Sequence, residues 1–395
     1  MGKEYAVTGL FEAFVKVLPR RLLGLARPPL ALPGWSLAAA LLLASAPGHA
    51  AEPNCKSKSL IPALRADGKL DAVEASAAMV ANGEGRFWRI DKDGAPPSYL
   101  LGTMHLMDPR LLRLPAPVET AFDASARLVI ETTDVLDRIK LSAAIFADPA
   151  LTTLPDGKTL NDFLDPAEKS VLERILSAKG VPFQAVEKLQ PWFLSTGFML
   201  PDCMAKSAMG NPIVLDISLA ERAKAAGKPV DGLETAIEQL KAMAAIPIEE
   251  QMDGFVAVLT AEDQLADIFE TMLQLYLGEH VSTIMPAIEA AVPEGSMLVG
   301  AGSGYGSFEQ KVIIERNLRM ADRLEPFLKT GGSFVAVGAL HLPGEKGLVA
   351  LLREHGYAVS RVRVPVADPA SHSPLGVADD KAAANPASGS GDTKK

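Results

Sequence analysis

The chain has few of the residues that build disulfide scaffolds or zinc clusters. Only two cysteines, Cys55 and Cys203, occur among its 395 residues. Two cysteines cannot supply a structural zinc site of the four-cysteine type, although they could pair as one disulfide in an oxidising compartment. Cys55 follows Pro53 and Asn54 rather than the small residues that precede a lipidated cysteine. The sequence therefore argues against lipidation.

Positive charge is scarce as well. The chain has 39 lysines and arginines against 48 aspartates and glutamates, a net charge of −9. Residues 1–50 carry five basic and two acidic side chains, so their removal would leave −12. A surface this acidic repels the phosphates of nucleic acids and anionic lipids. We therefore expect no nucleic-acid partner.

Long apolar runs are also missing. The run from Trp35 to Ala46 is shorter than the roughly 20 residues that a membrane-spanning helix needs. Basic residues precede it, and small residues at positions 48 and 50 follow it, as in a cleaved secretory signal peptide. The sequence predicts a signal peptide over residues 1–50. It also predicts no stable membrane span after cleavage and a periplasmic or secreted location.

Two common catalytic motifs are absent. The Gly-x-Ser-x-Gly elbow of serine hydrolases does not occur. The glycine-rich stretch from Gly300 to Gly306 lacks both the spacing of a dinucleotide loop and the Lys-Ser/Thr of a phosphate loop. We interpret it as a mobile loop beside the site.

The remaining composition is that of a globular protein, since 48% of the residues are hydrophobic. Residues 51–84 have the spacing of a short helical lead-in, and residues 85–365 form the predicted domain. Residues 366–395 are rich in Ala, Pro, Ser, Gly, Asp and Lys, a composition typical of a disordered tail. The domain begins with two predicted strands, 86–90 and 98–101, joined as a β-hairpin.

Strands alternate with capped helices through the domain. Asp165, Pro166 and Glu168 are typical of a helix start, and Gly180 of its end. A second helix is predicted from Leu215 to Ala226. Near the carboxyl terminus, a strand (333–337), a helix (344–355) and a strand (357–364) form a βαβ pattern. These elements predict an α/β fold with a mixed central sheet built from βαβ units and a helical insertion at about residues 135–290.

Two Gly-x-x-His sequences share the same context. Gly102 precedes His105 and Gly338 precedes His341, each after an apolar strand, and each histidine is followed by leucine. Ligands bind at the carboxyl ends of strands in α/β sheets. A glycine at a strand exit allows a sharp backbone turn. If the two strands are neighbours, the two imidazoles face each other. A lone histidine at a turn is usually structural, but the repeated context favours a functional pair.

Acidic residues occupy similar positions. Glu131 follows the predicted strand 127–130, and Glu234 follows Val230. Either carboxylate could instead stabilise the start of a helix. Two histidines with one or two carboxylates can bind a divalent metal ion and leave a position open for water. The same set could perform acid/base chemistry without a metal.

These residues resemble the motifs of the TraB/GumN family, which includes the Tiki metalloproteases. The match covers roughly residues 85–364. The matching motifs are Phe87–Ile90 with Tyr99–His105, then Glu131, then Gly232–Thr235, then Glu315–Asn317 with Met320, and finally Phe334–Leu348. The resemblance implies a fold like that of the erythromycin-esterase and ChaN group. For the Tiki branch it implies a peptidase that uses Mn²⁺ or Co²⁺, and Zn²⁺ is also compatible with the ligand set.

The resemblance also implies residue roles. His105, His341 and Glu131 would hold the metal, Glu131 could instead be the base, and Glu234, Arg316 and Asn317 would lie close by. Arg316 could hold a carboxylate of the substrate or an oxyanion. The expected function is an exported metal-dependent hydrolase acting on a peptide or small molecule. The alternatives are a non-catalytic protein that binds haem or sequesters a peptide signal, and a metal-free esterase-like hydrolase.

Overall fold

The computed structural model describes residues 57–201, 213–292 and 305–365. These ranges do not include the predicted signal peptide, the predicted tail, either cysteine or most of the glycine-rich stretch. Among the described residues, no helix combines the length and apolar character needed to cross a membrane. The predicted domain bounds of 85–365 stay a prediction.

The centre of the molecule is a six-stranded mixed sheet. Its strands are β1 (Phe87–Asp91), β2 (Ser98–Thr103), β3 (Arg127–Ile130), β4 (Val230–Gly232), β5 (Ser333–Gly338) and β6 (Ala358–Arg361). They lie in the order β4-β3-β5-β2-β1-β6. The first four in this order are parallel, and β1 pairs antiparallel with both β2 and β6. The predicted hairpin and the predicted α/β class are therefore confirmed.

Strand β5 shows why the sheet forms where it does. Its side chains alternate between two cores: Phe334 and Ala336 point to one face, and Val335 and Val337 to the other. All four are fully buried. A parallel strand covered on both faces needs such a continuous apolar sequence. This burial fixes the position of the turn that follows at residues 339–341.

Helices surround the sheet. Those up to residue 201 are α1 (Ile61–Ala66), α2 (Leu70–Ala78), α3 (Pro109–Leu112), α4 (Ala116–Ala124), α5 (Arg138–Ala147), α6 (Pro166–Ala178) and α7 (Pro191–Phe198). Those from residue 213 onwards are α8 (Leu215–Ala225), α9 (Ala236–Ala244), α10 (Ile248–Thr260), α11 (Leu265–Leu277), α12 (Ile284–Ala291), α13 (Tyr305–Phe308), α14 (Glu315–Thr330) and α15 (Leu348–Glu354). A π-helical segment, Glu309–Ile314, connects α13 to α14.

The helices form layers on both sides of the sheet. Helices α4 and α8 pack on the face that carries Phe334, and α14 and α15 pack on the opposite face. Helices α6, α7 and α10 have a core of their own, and α1, α2, α11 and α12 share another. The sheet thus lies in the middle of three layers, as two-sided burial requires.

The described residues of the predicted helical insertion are largely helical, but they also include the edge strand β4. The helix start predicted at Asp165 is confirmed and is a capping box, because the Asp165 side chain accepts from Glu168 N and the Glu168 side chain accepts from Asp165 N. The helix predicted over 344–355 starts only at Leu348, since Gly344 adopts a φ of +90° in the preceding turn. Strands β5 and β6 run parallel, as in a βαβ unit, but two strands lie between them.

Candidate functional site

Four parallel strands end at one edge of the sheet, and a predicted site residue follows each of them. In order across the edge, β4 leads to Glu234, β3 to Glu131, β5 to His341 and β2 to His105. All of these residues except His105 are buried. The topology thus brings together side chains that are far apart in sequence, at the position where α/β sheets bind ligands.

The two Gly-x-x-His turns are neighbours because β2 and β5 pair in parallel, with Thr103 opposite Gly338. Their glycines are needed for space rather than for a special backbone angle, since neither has a positive φ. A Cβ on Gly102 would lie 2.7 Å from Leu342 Cδ1 and 2.9 Å from Ala339 Cα. The expected sharp turn is therefore not the reason for Gly102. The reason is close packing of one turn against the other.

The two imidazoles converge on a single carboxylate oxygen. His105 Nε2 lies 4.0 Å from Glu131 Oε1, and His341 Nε2 lies 3.9 Å from the same atom. The His341 side chain is only 5% exposed, whereas that of His105 is 56% exposed. The site is therefore open to solvent on the His105 side.

The other ring nitrogen of each histidine is held by a separate partner. His341 Nδ1 donates to Asn317 Oδ1 at 2.6 Å. The Asn317 amide is oriented in turn by donation from Nδ2 to Lys346 O at 2.8 Å. His105 Nδ1 lies 2.9 Å from Asp216 Oδ2. With Nδ1 engaged in both rings, each Nε2 is left facing Glu131.

The Glu131 carboxylate is surrounded by donors. Its Oε1 accepts from Gly338 N at 2.6 Å, and its Oε2 accepts from Arg316 Nη2 at 2.6 Å and Gln239 Nε2 at 3.0 Å. Burial alone would raise the pKa of Glu131, but the two histidines, Arg316 and the Gly338 amide lower it to about 2. Glu131 is therefore a stable anion near neutral pH.

The two histidines differ in basicity. The negative charge of Asp216, reinforced by their hydrogen bond and by Glu131, raises the pKa of His105 to about 9. Burial lowers the pKa of His341 to about 4, because a neutral ring needs no solvation of charge. With no cation bound, the His341 ring is therefore neutral near neutral pH, and the His105 ring is protonated and positively charged.

An ion-pair network lies behind Glu131. Arg316 Nε donates to Glu234 Oε2 at 2.9 Å, and its Nη1 donates to Val312 O at 3.3 Å. Arg319 binds the second oxygen, Glu234 Oε1, at 2.6 Å. The Glu234 side chain is fully buried, and that of Arg316 is 8% exposed. Glu234 therefore contacts the two arginines, and Arg316 connects it to Glu131.

Three residues of this constellation were not predicted from the sequence. Asp216, Gln239 and Arg319 all lie on helices, where a polar residue is ordinarily solvent-exposed. Asp216 had one available signal: it is a carboxylate in the first turn of α8 that directly follows apolar Val214 and Leu215. No local sequence signal indicated Gln239 or Arg319, because their roles depend on contacts with residues far away in sequence.

The donor set matches the chemistry of a divalent cation. Two imidazole Nε2 atoms and one carboxylate oxygen converge, and a Cβ on Gly338 would lie 3.2 Å from Glu131 Oε1 and 3.8 Å from His105 Nε2. Donors about 2.1 Å from one ion are separated by about 3–3.5 Å, so the 3.9 and 4.0 Å spacings are slightly wide. Accordingly, no group of three or more His, Cys, Asp or Glu in the described ranges has metal-holding geometry as it stands.

Comparison with known proteins gives one consistent family. Residues 86–361 match the model of the TraB/PrgY/gumN family. The chain is 26% identical over 308 residues to a protein named Metalloprotease TIKI2 from Danio rerio. The aligned region covers 67% of this chain and 58% of that protein. The chain is also 26% identical over 320 residues to Metalloprotease TIKI homolog from Amphimedon queenslandica, covering 70% and 61%.

A bacterial relative is matched over most of its length. The chain is 23% identical over 256 residues to the uncharacterized protein YbaP of Shigella flexneri, covering 65% of this chain and 88% of that protein. By contrast, the chain spans only about three fifths of the length of the two metalloproteases. No solved structure matches the chain significantly.

Proposed function

Because the chain belongs to the TraB/PrgY/gumN family, as its motifs predicted, we propose that it is an exported metal-dependent hydrolase of the peptidase type. The observation that carries the proposal is the convergence of His105 Nε2 and His341 Nε2 on Glu131 Oε1. The names of the two metalloprotease relatives support the same reaction class. The substrate is a peptide, or a small molecule with a comparable carbonyl.

His105, His341 and Glu131 would hold the cation. When bound, a divalent ion supplies activation of water and polarisation of a carbonyl oxygen. Among the ions that the resemblance implies, Mn²⁺ and Co²⁺ are the first to test, and Zn²⁺ is compatible with the same donors. Both imidazole–carboxylate separations, 4.0 Å for His105 and 3.9 Å for His341, exceed the spacing of coordinated donors by about 0.5 Å, so the rings and the carboxylate would all adjust slightly on binding.

Glu131 is better suited to bind a cation than to accept a proton. A general base works best when its pKa is near the working pH, and the pKa of Glu131 is about 2. Three donors already bind its carboxylate. We therefore assign Glu131 the role of ligand.

Arg316 and Glu234 orient that ligand. The Arg316 guanidinium is buried, and its donors are engaged by Glu131, Glu234 and Val312 O. A side chain in this environment holds Glu131 with Oε1 facing the imidazoles instead of binding a substrate carboxylate. Glu234 positions Arg316 through two buried ion-pair contacts. Glu234 therefore acts on Glu131 only through Arg316.

Metal content and cleavage together test the proposal. Protein purified without a histidine tag is analysed for bound metal, and cleavage of an unstructured fluorogenic peptide library is measured with Mn²⁺ or Co²⁺. We expect His105→Ala and His341→Ala to abolish cleavage. His355→Ala is the matched control, because His355 pairs with Glu325 at the end of α15. Absence of any bound or activating divalent ion, with His105→Ala as active as wild type, would overturn the proposal.

One observation favours a metal-free alternative. Without a cation, His105 with a pKa of about 9 is a proton donor 4.0 Å from the Glu131 anion. A proton-donating imidazole could act as the acid in a metal-free hydrolysis. Chelation separates the two mechanisms, because only the metal-dependent one loses activity and regains it with Mn²⁺ or Co²⁺. The binding alternatives are tested on the same samples, by haem titration and by peptide capture without cleavage.

Export is tested independently of the reaction. The signal peptide predicted over residues 1–50 implies that the mature chain begins at Ala51. Amino-terminal sequencing of the protein from the periplasmic fraction or the medium is expected to start there. Recovery of the intact amino terminus from the cytoplasm would contradict export without affecting the proposed chemistry.

A further inference from the structure

Asp216 lies directly behind His105. It is the second residue of α8 and is 7% exposed. Its two oxygens have different partners: Oδ2 faces His105 Nδ1 at 2.9 Å, and Oδ1 accepts from Thr103 Oγ1 at 2.7 Å. Thr103 is the last residue of β2. The carboxylate is thus oriented by the same strand that carries the histidine.

The support of His105 differs from that of His341 in charge. The buried His341 ring is held by the neutral amide of Asn317, whereas the half-exposed His105 ring is held by a carboxylate. Water competes for the polar groups of an exposed ring. A charge-assisted hydrogen bond is roughly twice as strong as a neutral one, so an anionic acceptor resists this competition better. The more exposed histidine therefore has the stronger support.

The proton on an imidazole is positioned by the hydrogen bond of its other nitrogen. An acceptor at Nδ1 keeps the proton there and leaves the Nε2 lone pair free. Without that acceptor, either nitrogen can carry the proton, and the ring can rotate into the solvent. For His105, a proton on Nε2 would occupy the position that faces Glu131.

We propose that Asp216 is a positioning residue of this site: it holds His105 as the Nδ1–H tautomer, with Nε2 directed at Glu131. The value of this arrangement for metal binding rests on the proposed function, but the tautomer itself does not. Thr103 contributes less than Asp216, because its hydroxyl binds only Asp216 Oδ1, the oxygen that does not face His105.

The tautomer is measured on metal-free protein by two-bond ¹H–¹⁵N correlation NMR. Spectra are recorded at increasing pH until the ¹⁵N shifts of the His105 ring show that it is neutral. We expect wild type to show a protonated Nδ1 and an unprotonated Nε2. Asp216→Ala is expected to lose this bias, and Asp216→Asn to retain it, because an amide oxygen serves the same purpose at His341.

Metal affinity is the second measurement, made by Mn²⁺ titration calorimetry on the same variants. Loss of a partner that orients a ligand costs about 10- to 100-fold in affinity, which is the drop expected for Asp216→Ala. A drop of less than about 10-fold is expected for Asp216→Asn and Thr103→Val. Asp231→Ala is the matched control, since this carboxylate pairs with Arg127 on β3, away from the histidines. Circular dichroism at each pH checks that every variant is folded.

The two measurements fail separately. Wild-type protein with the expected tautomer that binds none of Mn²⁺, Co²⁺ and Zn²⁺ would overturn the proposed function and leave the role of Asp216 supported. A wild-type ring protonated on Nε2 would overturn the role of Asp216. So would Asp216→Ala with an unchanged tautomer, whatever the metal result.

Discussion

The glycines of the two histidine turns should respond differently to the same substitution. In Gly338→Ala, the added Cβ would lie 3.2 Å from Glu131 Oε1, 3.5 Å from His341 Cδ2 and 3.8 Å from His105 Nε2. Gly338 has φ −52° and ψ 135°, which alanine adopts without strain. The backbone cost is therefore small, and the methyl group stands against the three side chains of the candidate site.

The magnitudes follow from these distances. The 3.2 Å contact with Glu131 Oε1 is shorter than the usual packing distance of about 3.5–4.0 Å, so the carboxylate must move by a few tenths of an ångström, and Gly338→Ala should change the free energy of unfolding by about 1 kcal/mol. In Gly102→Ala, the added Cβ would lie 2.7 Å from Leu342 Cδ1 and 2.9 Å from Ala339 Cα. Overpacking of this kind costs about 1–3 kcal/mol, or a decrease in Tm of roughly 2–10 °C for a domain of this size.

The two substitutions should affect metal binding in the opposite order: Gly338→Ala should weaken it more than Gly102→Ala. The Gly338 methyl group takes space beside the donors in which the remaining ligands of a cation would stand, so Mn²⁺ affinity should fall at least about 10-fold. Thermal unfolding and titration calorimetry are compared for the two alanine variants and wild type. Wild-type Mn²⁺ affinity in Gly338→Ala, or a lower stability of Gly338→Ala than of Gly102→Ala, would refute this prediction.

Three further changes test the surroundings of the site. Glu234→Gln leaves the buried Arg316 without one of its two carboxylates, and we expect a loss of about 3–5 kcal/mol in urea unfolding, as for a broken buried ion pair. The hydrogen bond from Arg323 lowers the pKa of Glu238 from 4.5 to about 2. The stability that the Glu238 anion contributes is therefore complete above pH 4.5 and disappears as the pH falls through about 2. The stability difference between wild type and Glu238→Gln should shrink over that range. Phe334→Ala opens a cavity in the middle of the sheet and should cost about 3–5 kcal/mol.

Each of these expectations has a contradicting outcome. Glu234→Gln with wild-type stability would mean that the buried network does not hold Arg316 in place. A stability difference for Glu238→Gln that stays constant between pH 5 and pH 2 would exclude the Arg323 pair as its source. A loss below about 1 kcal/mol for Phe334→Ala would mean that the site edge does not depend on the β5 core.

Local sequence patterns predicted much of the fold. The strand predicted at residues 127–130 has the same bounds as β3, and the helix predicted from Leu215 ends within one residue of its observed end. Apolar alternation, capping residues and glycine stops act over a few residues, so they can be read without knowing the partner elements. The repeated context of His105 and His341 likewise indicated one site, because carboxyl ends of neighbouring parallel strands share an edge.

Local sequence patterns were enough to locate the strand exits and the residues that follow them. The contacts of those residues were set by the tertiary structure. It brought Asp216 to His105 across 111 residues, and it directed Glu234 to the arginines instead of the imidazoles. This is because a hydrogen bond or ion pair between distant residues depends on how helices pack on the sheet. The same short sequence, a carboxylate at the start of a helix, can therefore cap that helix or support a histidine.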